Sequence, residues 1–253
     1  MNKQLWLKSE FEKKSIPDWT CPHCAKSILK IRSFESDETA LSKEWQSHED
    51  WEPEFIRYSF SGSLICPTCE EFVSFLGNGW LELYTSYDYQ TERYIEEGKA
   101  CYTPKYFYPA LVLFNIPDKC PAKIREIISE SFALYWSDLA SCANKIRVSL
   151  EILMDEFSVK KTYINRNRNR KRLSLHQRIE EFKKLKKDVA EFLLAIKWIG
   201  NTGSHIGELD KMDILETYEM LELALNKLYD NNEVRLTKIA KEINKNKGRR
   251  KRK

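Results

Sequence analysis

The sequence predicts an α+β fold in two parts: short β-strands gathered around paired cysteines, then a bundle of α-helices. Two knuckles of the same form, Cys21-Pro-His-Cys24 and Cys66-Pro-Thr-Cys69, lie among β-rich runs early in the chain. From Pro121 onward apolar residues recur at steps of three and four, the period of a helix with one buried face. With 253 residues, 42% of them apolar and 12% aromatic, the chain has material for two small cores.

Taken in order, Ile28–Phe34, Phe55–Phe60 and Phe72–Leu76 alternate or are rich in β-branched and aromatic residues, so they read as strands. Gly62 and the run Gly77-Asn-Gly79 read as turns that break them. Ser36–Glu49, acidic and rich in Ala, Leu and Lys, suits a short inserted helix, and Tyr102–Pro117 reads as a linking strand among its prolines. Pro121 suits a first helical turn, where its missing N–H would have had no partner. Ile124, Ile127, Ile128 and Ala133 then mark one helix, and Leu139, Ala143, Ile146, Leu150, Leu153 and Phe157 a second. A third is expected over Leu175–Leu185 and a fourth over Asp188–Ile199, with Gly200 where that helix stops or bends. A fifth covers Lys211–Tyr229 and a charged sixth Glu233–Asn246. The expected organisation is a ribbon with an inserted segment and linking strand over 1–117, a helical bundle over 118–232, and a charged helix with a basic tail over 233–253.

The longest strongly apolar run, Ala110–Ile116, falls far short of the roughly 20 residues that span a bilayer. The opening Met-Asn-Lys-Gln-Leu-Trp-Leu-Lys lacks the apolar core of a secretory leader. The expectation is a cytoplasmic protein with no membrane partner, whose paired cysteines bind metal and do not form disulfides. No glycine-rich phosphate loop follows a strand, which argues against Rossmann and P-loop enzymes.

Net charge is only +4, but basic residues are concentrated at two places. Lys160–Arg172 holds seven Lys or Arg and no acid, and the chain ends Gly248-Arg-Arg-Lys-Arg-Lys253. Such runs meet phosphate backbones or simply carry solvated charge. Arg166, Arg168, Arg170, Lys171 and Arg172 are the candidate nucleic-acid contacts.

Each Cys-Pro-x-Cys knuckle sets two thiolates on a tight turn, and two knuckles supply the four sulfurs of a tetrahedral zinc ribbon. Cys21, Cys24, Cys66 and Cys69 are therefore the expected ligands of one structural Zn2+. Four sulfurs leave no open position for water, so the ion would stabilise the fold and do no chemistry. His23, inside its knuckle, is expected to be exposed, and Cys101, Cys120 and Cys142, unpaired in spacing, to fill apolar positions.

Three stretches carry a resemblance: Asn144-Lys-Ile-Arg-Val-Ser-Leu-Glu-Ile-Leu153, Leu175-His-Gln-Arg-Ile-Glu180 and Ala195-Ile-Lys-Trp-Ile-Gly-Asn-Thr-Gly-Ser-His205. In this order they resemble the bacterial family named domain of unknown function 4145, which often follows an N-terminal zinc ribbon. That family is similar in turn to the HEPN superfamily of helical bundles, many of them RNA-cutting proteins of defence and toxin systems. The fold implied is α+β, an N-terminal zinc ribbon followed by a HEPN-like α-helical bundle.

HEPN ribonucleases use an Arg and a His, often as Arg-Asn-x-x-x-His, and meet the same pair from a second subunit across a two-fold interface. Asn201 and His205 match the Asn and His, Gly200 stands at the Arg, and Lys197 occupies the place where the family of unknown function usually has one. Lys keeps the charge but lacks the guanidinium fork that grips a phosphate. The resemblance thus implies a homodimeric, metal-independent endoribonuclease with Lys197, Asn201 and His205 at a joint site. Read from the residues alone, His205 is either a general base near neutral pKa or a cap on a helix end. Arg147 and Glu151, one helical turn apart, either pair or brace the motif. Two function classes follow: a defence-type protein that binds or cuts RNA, and a non-catalytic module for dimerisation that docks nucleic acid, RNA or DNA, or a protein encoded in the same operon.

Overall fold

A computed structural model describes residues 1–88, 92–202, 209–230 and 232–249. They form two compact units: Asn2–Leu113 with Phe132–Leu139, and Phe114–Ser131 with Ala140–Lys253 and Met1. No helix among the described residues is long and apolar enough to cross a membrane.

The first unit opens with helix α1 (Lys3–Leu7) and is built on one antiparallel sheet. Its strands are β1 (Lys30–Glu38), β2 (Arg57–Ile65), β3 (Phe72–Asp88) and β4 (Arg93–Tyr108), paired in sequence order, with helix α2 (Ala40–Trp45) inserted between the first two. The strands are longer than the sequence suggests, 17 residues for β3 and 16 for β4. The expected turn at Gly77-Asn-Gly79 does not form, because these glycines lie within β3. A Cβ on Gly77 would stand 2.1 Å from the Thr103 carbonyl oxygen and 2.8 Å from the Phe60 ring, and one on Gly79 would stand 2.6 Å from the Tyr102 ring. The glycines make room for rings, a use of glycine in strands that a turn reading overlooks. Opposite Gly77 the register shifts, and Pro104 sits at that bulge, where its missing N–H disrupts no regular ladder. The expected linking strand over Tyr102–Pro117 is thus half right: β4 ends at Tyr108 and the rest has no regular structure.

Below the sheet the core is aromatic. Phe11, held by backbone hydrogen bonds of 2.9 Å in both directions with Tyr102, has its ring 5.5–6.1 Å from those of Trp19, Phe34, Phe60, Phe75 and Tyr102. Trp136, from the segment Phe132–Leu139, closes on Phe107 at 4.8 Å and on Trp19 at 6.1 Å. Each fully buried ring contributes about 1.5–3 kcal/mol by burial, and well-oriented ring pairs add about 0.5–1.5 kcal/mol.

The second unit is helical. It contains helix α3 (Ala122–Leu134) up to Ser131, then α4 (Leu139–Glu156), the hairpin strands β5 (Thr162–Ile164) and β6 (Arg170–Arg172), α5 (Leu175–Phe182), α6 (Lys187–Thr202), α7 (Lys211–Tyr229) and α8 (Asn232–Asn246). Ser174 and Gln177 form a reciprocal cap at the start of α5, as Asp210 and Asp213 do for α7. The apolar faces expected from the spacing are buried: Ile124 and Ile128, then Ile146, Leu150 and Leu153, then Ile214, Leu221 and Leu225. One polar node joins three helices, with the Tyr218 hydroxyl 2.8 Å from Ser131 Oγ and 3.1 Å from Cys142 Sγ.

Gly200 does not end its helix, contrary to the sequence expectation. The helix runs on through Thr202, and a Cβ at Gly200 would stand 2.8 Å from Arg147 Cβ and 3.2 Å from the Ala143 carbonyl oxygen. The glycine is there because α6 and α4 approach closely, which one helix's own sequence does not reveal.

Candidate functional site

Strand pairing brings the two knuckles together. The first leads into β1, the second is the turn between β2 and β3, and Lys30 faces Ile65 in the ladder. The residues between the knuckles leave as the rest of β1, α2 and β2 at the far end of the sheet. The knuckles share one local construction. Ala25 N–H donates to the Cys21 carbonyl at 3.0 Å and Glu70 N–H to the Cys66 carbonyl at 3.0 Å. Ala25 and Glu70 both take left-handed backbone, φ 52° and 59°. A hydrogen bond between the hydroxyls of Ser27 and Thr68 bridges the two turns.

The sulfurs of Cys21, Cys24, Cys66 and Cys69 all lie within 4.8 Å of one another, with Cys21–Cys69 and Cys24–Cys66 each at 3.6 Å. Around a tetrahedral ion with metal–sulfur bonds of about 2.3 Å, sulfurs stand about 3.8 Å apart. The donor set therefore fits a metal ion. Burial pushes Cys66 up, but backbone N–H groups of Cys69 and Thr68 and neighbouring thiols outweigh it and hold it at about 6. Cys69 is pulled down by the Glu71 backbone N–H, yet burial and hydrogen bonds with Cys24, Cys66 and Cys21 push it to about 12. Four thiolates this close repel one another unless a cation lies among them. His23 is exposed, as expected, and Cys101, Cys120 and Cys142 are buried away from the cluster.

The basic stretch folds as an exposed hairpin. Thr162, Tyr163 and Ile164 face Arg172, Lys171 and Arg170. Asn165 builds the turn: its Oδ1 accepts from the backbone of Asn167 at 3.0 Å and of Asn169 at 2.9 Å, and Arg168 takes φ 57°. Arg166, Arg168, Arg170, Lys171 and Arg172 are all exposed. The five cations lie along the turn and second strand of this short hairpin, with the half-exposed ring of Tyr163 on its first strand.

The motif at the end of α6 is arranged otherwise. Lys197 is buried, 8% exposed, with Nζ 3.1 Å from the centre of the Trp198 ring. Burial, and then the charge of Arg147, hold its pKa below the usual lysine range. Asn201 is half-buried on the same helix, and His205 lies outside the described residues. Arg147 pairs with Glu151 at 3.0 Å, one of the two expected arrangements. Sequence reasoning gave no role to Arg178. It is 6% exposed and bonds Asp155 at 2.6 Å and the Val159 carbonyl at 3.2 Å, tying α5 to the end of α4. Its signal was available: Ser174-Leu-His-Gln177 is a capping box that fixes where α5 starts, and so which face carries Arg178.

A family model described as a domain of unknown function (DUF8608) matches residues 9–107, and another described as a domain of unknown function (DUF4145) matches residues 129–246. No curated protein and no solved structure matches the chain.

Proposed function

We propose that the chain is a nucleic-acid-binding protein in which a structural zinc ion, held by Cys21, Cys24, Cys66 and Cys69, stiffens the sheet unit and the helical unit meets an RNA backbone through its cationic hairpin. The observation that carries this reading is the hairpin itself: Arg166 and Arg168 stand exposed on its Asn165-capped turn, and Arg170, Lys171 and Arg172 on its second strand. Holding five like charges together costs repulsion, which a polyanion relieves; each cation placed on a phosphate also releases counterions. Tyr163 adds a ring on which a base can stack.

The stronger form of this reading is RNA cleavage in a prokaryotic defence or toxin setting, by a homodimer of HEPN-like bundles with Lys197, Asn201 and His205 at the joint site. Its support is the sequence motif. The burial of Lys197 against Trp198 weighs against it, since a sheltered amine is poorly placed to hold a phosphate. Binding without cleavage is therefore preferred. The protein-docking alternative has its own observation on the sheet unit, where Leu41, Trp45 and Phe55 line a half-exposed apolar hollow.

The test is the salt dependence of binding to single-stranded RNA. The parent should lose affinity steeply with salt, and replacing Arg166, Arg168, Arg170 and Arg172 with Ser should reduce the log–log slope by up to about 3, at about 0.7 per phosphate contact on a single strand. An unchanged slope would show the hairpin to be solvated surface. RNA degradation in EDTA, lost in His205→Ala at unchanged melting temperature, would restore the catalytic form.

A further inference from the structure

A cavity of about 620 Å³ opens between α4, the foot of the hairpin and the start of α5. That is within the roughly 300–1,000 Å³ of small-molecule sites and far more than a bare phosphate needs. Its lining divides by chemistry. Arg147, Lys161, Arg172 and Arg178 supply four cations against two carboxylates, Glu151 and Asp155, while Val148, Ile152, Leu173 and Leu175 form an apolar wall.

The cations are not all spent on those acids. Glu151 takes Arg147 at 3.0 Å, and Asp155 takes both Arg178 at 2.6 Å and Lys161 at 2.8 Å. The side chain of Arg172 has no hydrogen bond or ion pair among the described residues, its place in the β5–β6 ladder being held by the backbone. Arg178, more than nine-tenths buried, also keeps its Nε–H buried without an acceptor. An excess of positive charge and an apolar wall in one hollow describe a site for a ligand with an anionic end and a flat apolar part.

From this geometry we infer that the cavity binds one nucleotide, its phosphate held by Arg172, Lys161 and Arg147 and its base laid against Val148, Ile152 and Leu173. The inference takes its ligand class from the reading of the hairpin as an RNA contact. The nucleotide is either free or one residue of a strand whose neighbouring phosphates reach Arg166, Arg168 and Arg170, since Arg172 belongs to both hairpin and cavity.

Calorimetric titration of the full chain with 5′-AMP, and separately with a short single-stranded RNA, tests this. The parent should bind 5′-AMP. Arg172→Gln should weaken binding about tenfold through loss of one charge-assisted contact. Val148→Trp, at a half-buried position, should fill the hollow and abolish binding with little change in melting temperature. Glu151→Gln should tighten it by removing a like charge. Arg166→Ser with Arg168→Ser should leave 5′-AMP binding unchanged while weakening RNA. RNA that displaces 5′-AMP identifies a strand residue as the ligand. If 5′-AMP binds and RNA neither binds nor competes, the ligand is a free nucleotide, and the hairpin reading fails while the cavity stands. If the parent ignores 5′-AMP, or Val148→Trp binds it as well as the parent does, the cavity proposal is overturned. RNA binding that still depends on the hairpin arginines would then leave the hairpin reading intact.

Discussion

The two units are held together by different means. The sheet unit contains six of the chain's seven tryptophans and all four clustered thiols, and its core is a lattice of rings packed over glycines. The helical unit is filled with Leu, Ile and Val on capped helices, and no such thiol cluster occurs among its described residues. A four-stranded sheet that buries Phe60, Leu64, Val73 and Phe75 but leaves the alternating Ser61, Ser74 and Leu76 exposed puts most of its buried apolar area on one face. Its two ends must be fastened by something other than burial. The helical unit can bury a face of each of several helices, and needs no such fastening. The consequence is a difference in how each unit fails.

Metal removal should expose that difference most strongly. Structural zinc sites supply on the order of 10 kcal/mol to folding. EDTA, or Cys66→Ser, should therefore abolish near-ultraviolet dichroism and shift tryptophan emission to the red, both reporting mainly on the sheet unit. The 222 nm helical signal should largely persist. Metal analysis of the parent should find one zinc per chain. If the two signals vanish together, the units share one stability and the contrast is wrong.

Glycine replacement sharpens the comparison. Gly77→Ala forces a Cβ to within 2.1 Å of a backbone oxygen in the middle of the sheet, where nothing can swing aside. A loss at or above the upper end of the ~1–3 kcal/mol of overpacking is expected. In Gly200→Ala the clash, 2.8 Å to Arg147 Cβ, is opposed by a gain in helix propensity of about 1 kcal/mol, so the net loss should be about 1 kcal/mol. Denaturant titration of both variants decides. A Gly200→Ala protein that loses more than Gly77→Ala would mean that helix packing, not ring packing, is the tighter fit.

The smallest effect is a pH dependence confined to the helical unit. Burial raises the pKa of Asp155, but hydrogen bonds from Lys161 and Arg178 outweigh it and hold the carboxyl below its ordinary 3.8. A depressed carboxylate stabilises the fold in full above its ordinary pKa and loses that contribution as pH falls through the depressed value. Asp155→Asn should thus melt below the parent at pH 7, with the gap closing as pH drops below about 3.8. The carboxylate is 42% exposed, so solvent screening keeps the difference small. A gap that persists in acid would assign it to packing, not to charge.

Local signals carried a good part of this fold and its sites. Two Cys-Pro-x-Cys knuckles mark the four thiols that cluster closely enough to hold a metal ion, because the spacing within a turn is a local matter, and the described helices of the second half follow from apolar steps of three and four. The basic hairpin was visible as a run of charge, although not as a hairpin, since the bonds that fold it run from Asn165 to Asn167 and Asn169. What the sequence did not disclose lies between segments distant along the chain. From the sequence Gly77 suggests a turn and Gly200 a helix end or bend, because glycine is ambiguous in isolation. Only the neighbours, Thr103 and Phe60 for one and Arg147 and Ala143 for the other, show that each removes a Cβ from a crowded place. Likewise Arg178 is an unremarkable cation in the sequence, and Lys161 and Arg172 stand out only as part of a basic run; the three line one cavity only when α4, the hairpin and α5 enclose a common volume. The short-range rules of turns, caps and helical period are written into the sequence directly, whereas exclusion of volume and sharing of charge depend on which distant segments meet, and that is settled only when the chain has packed.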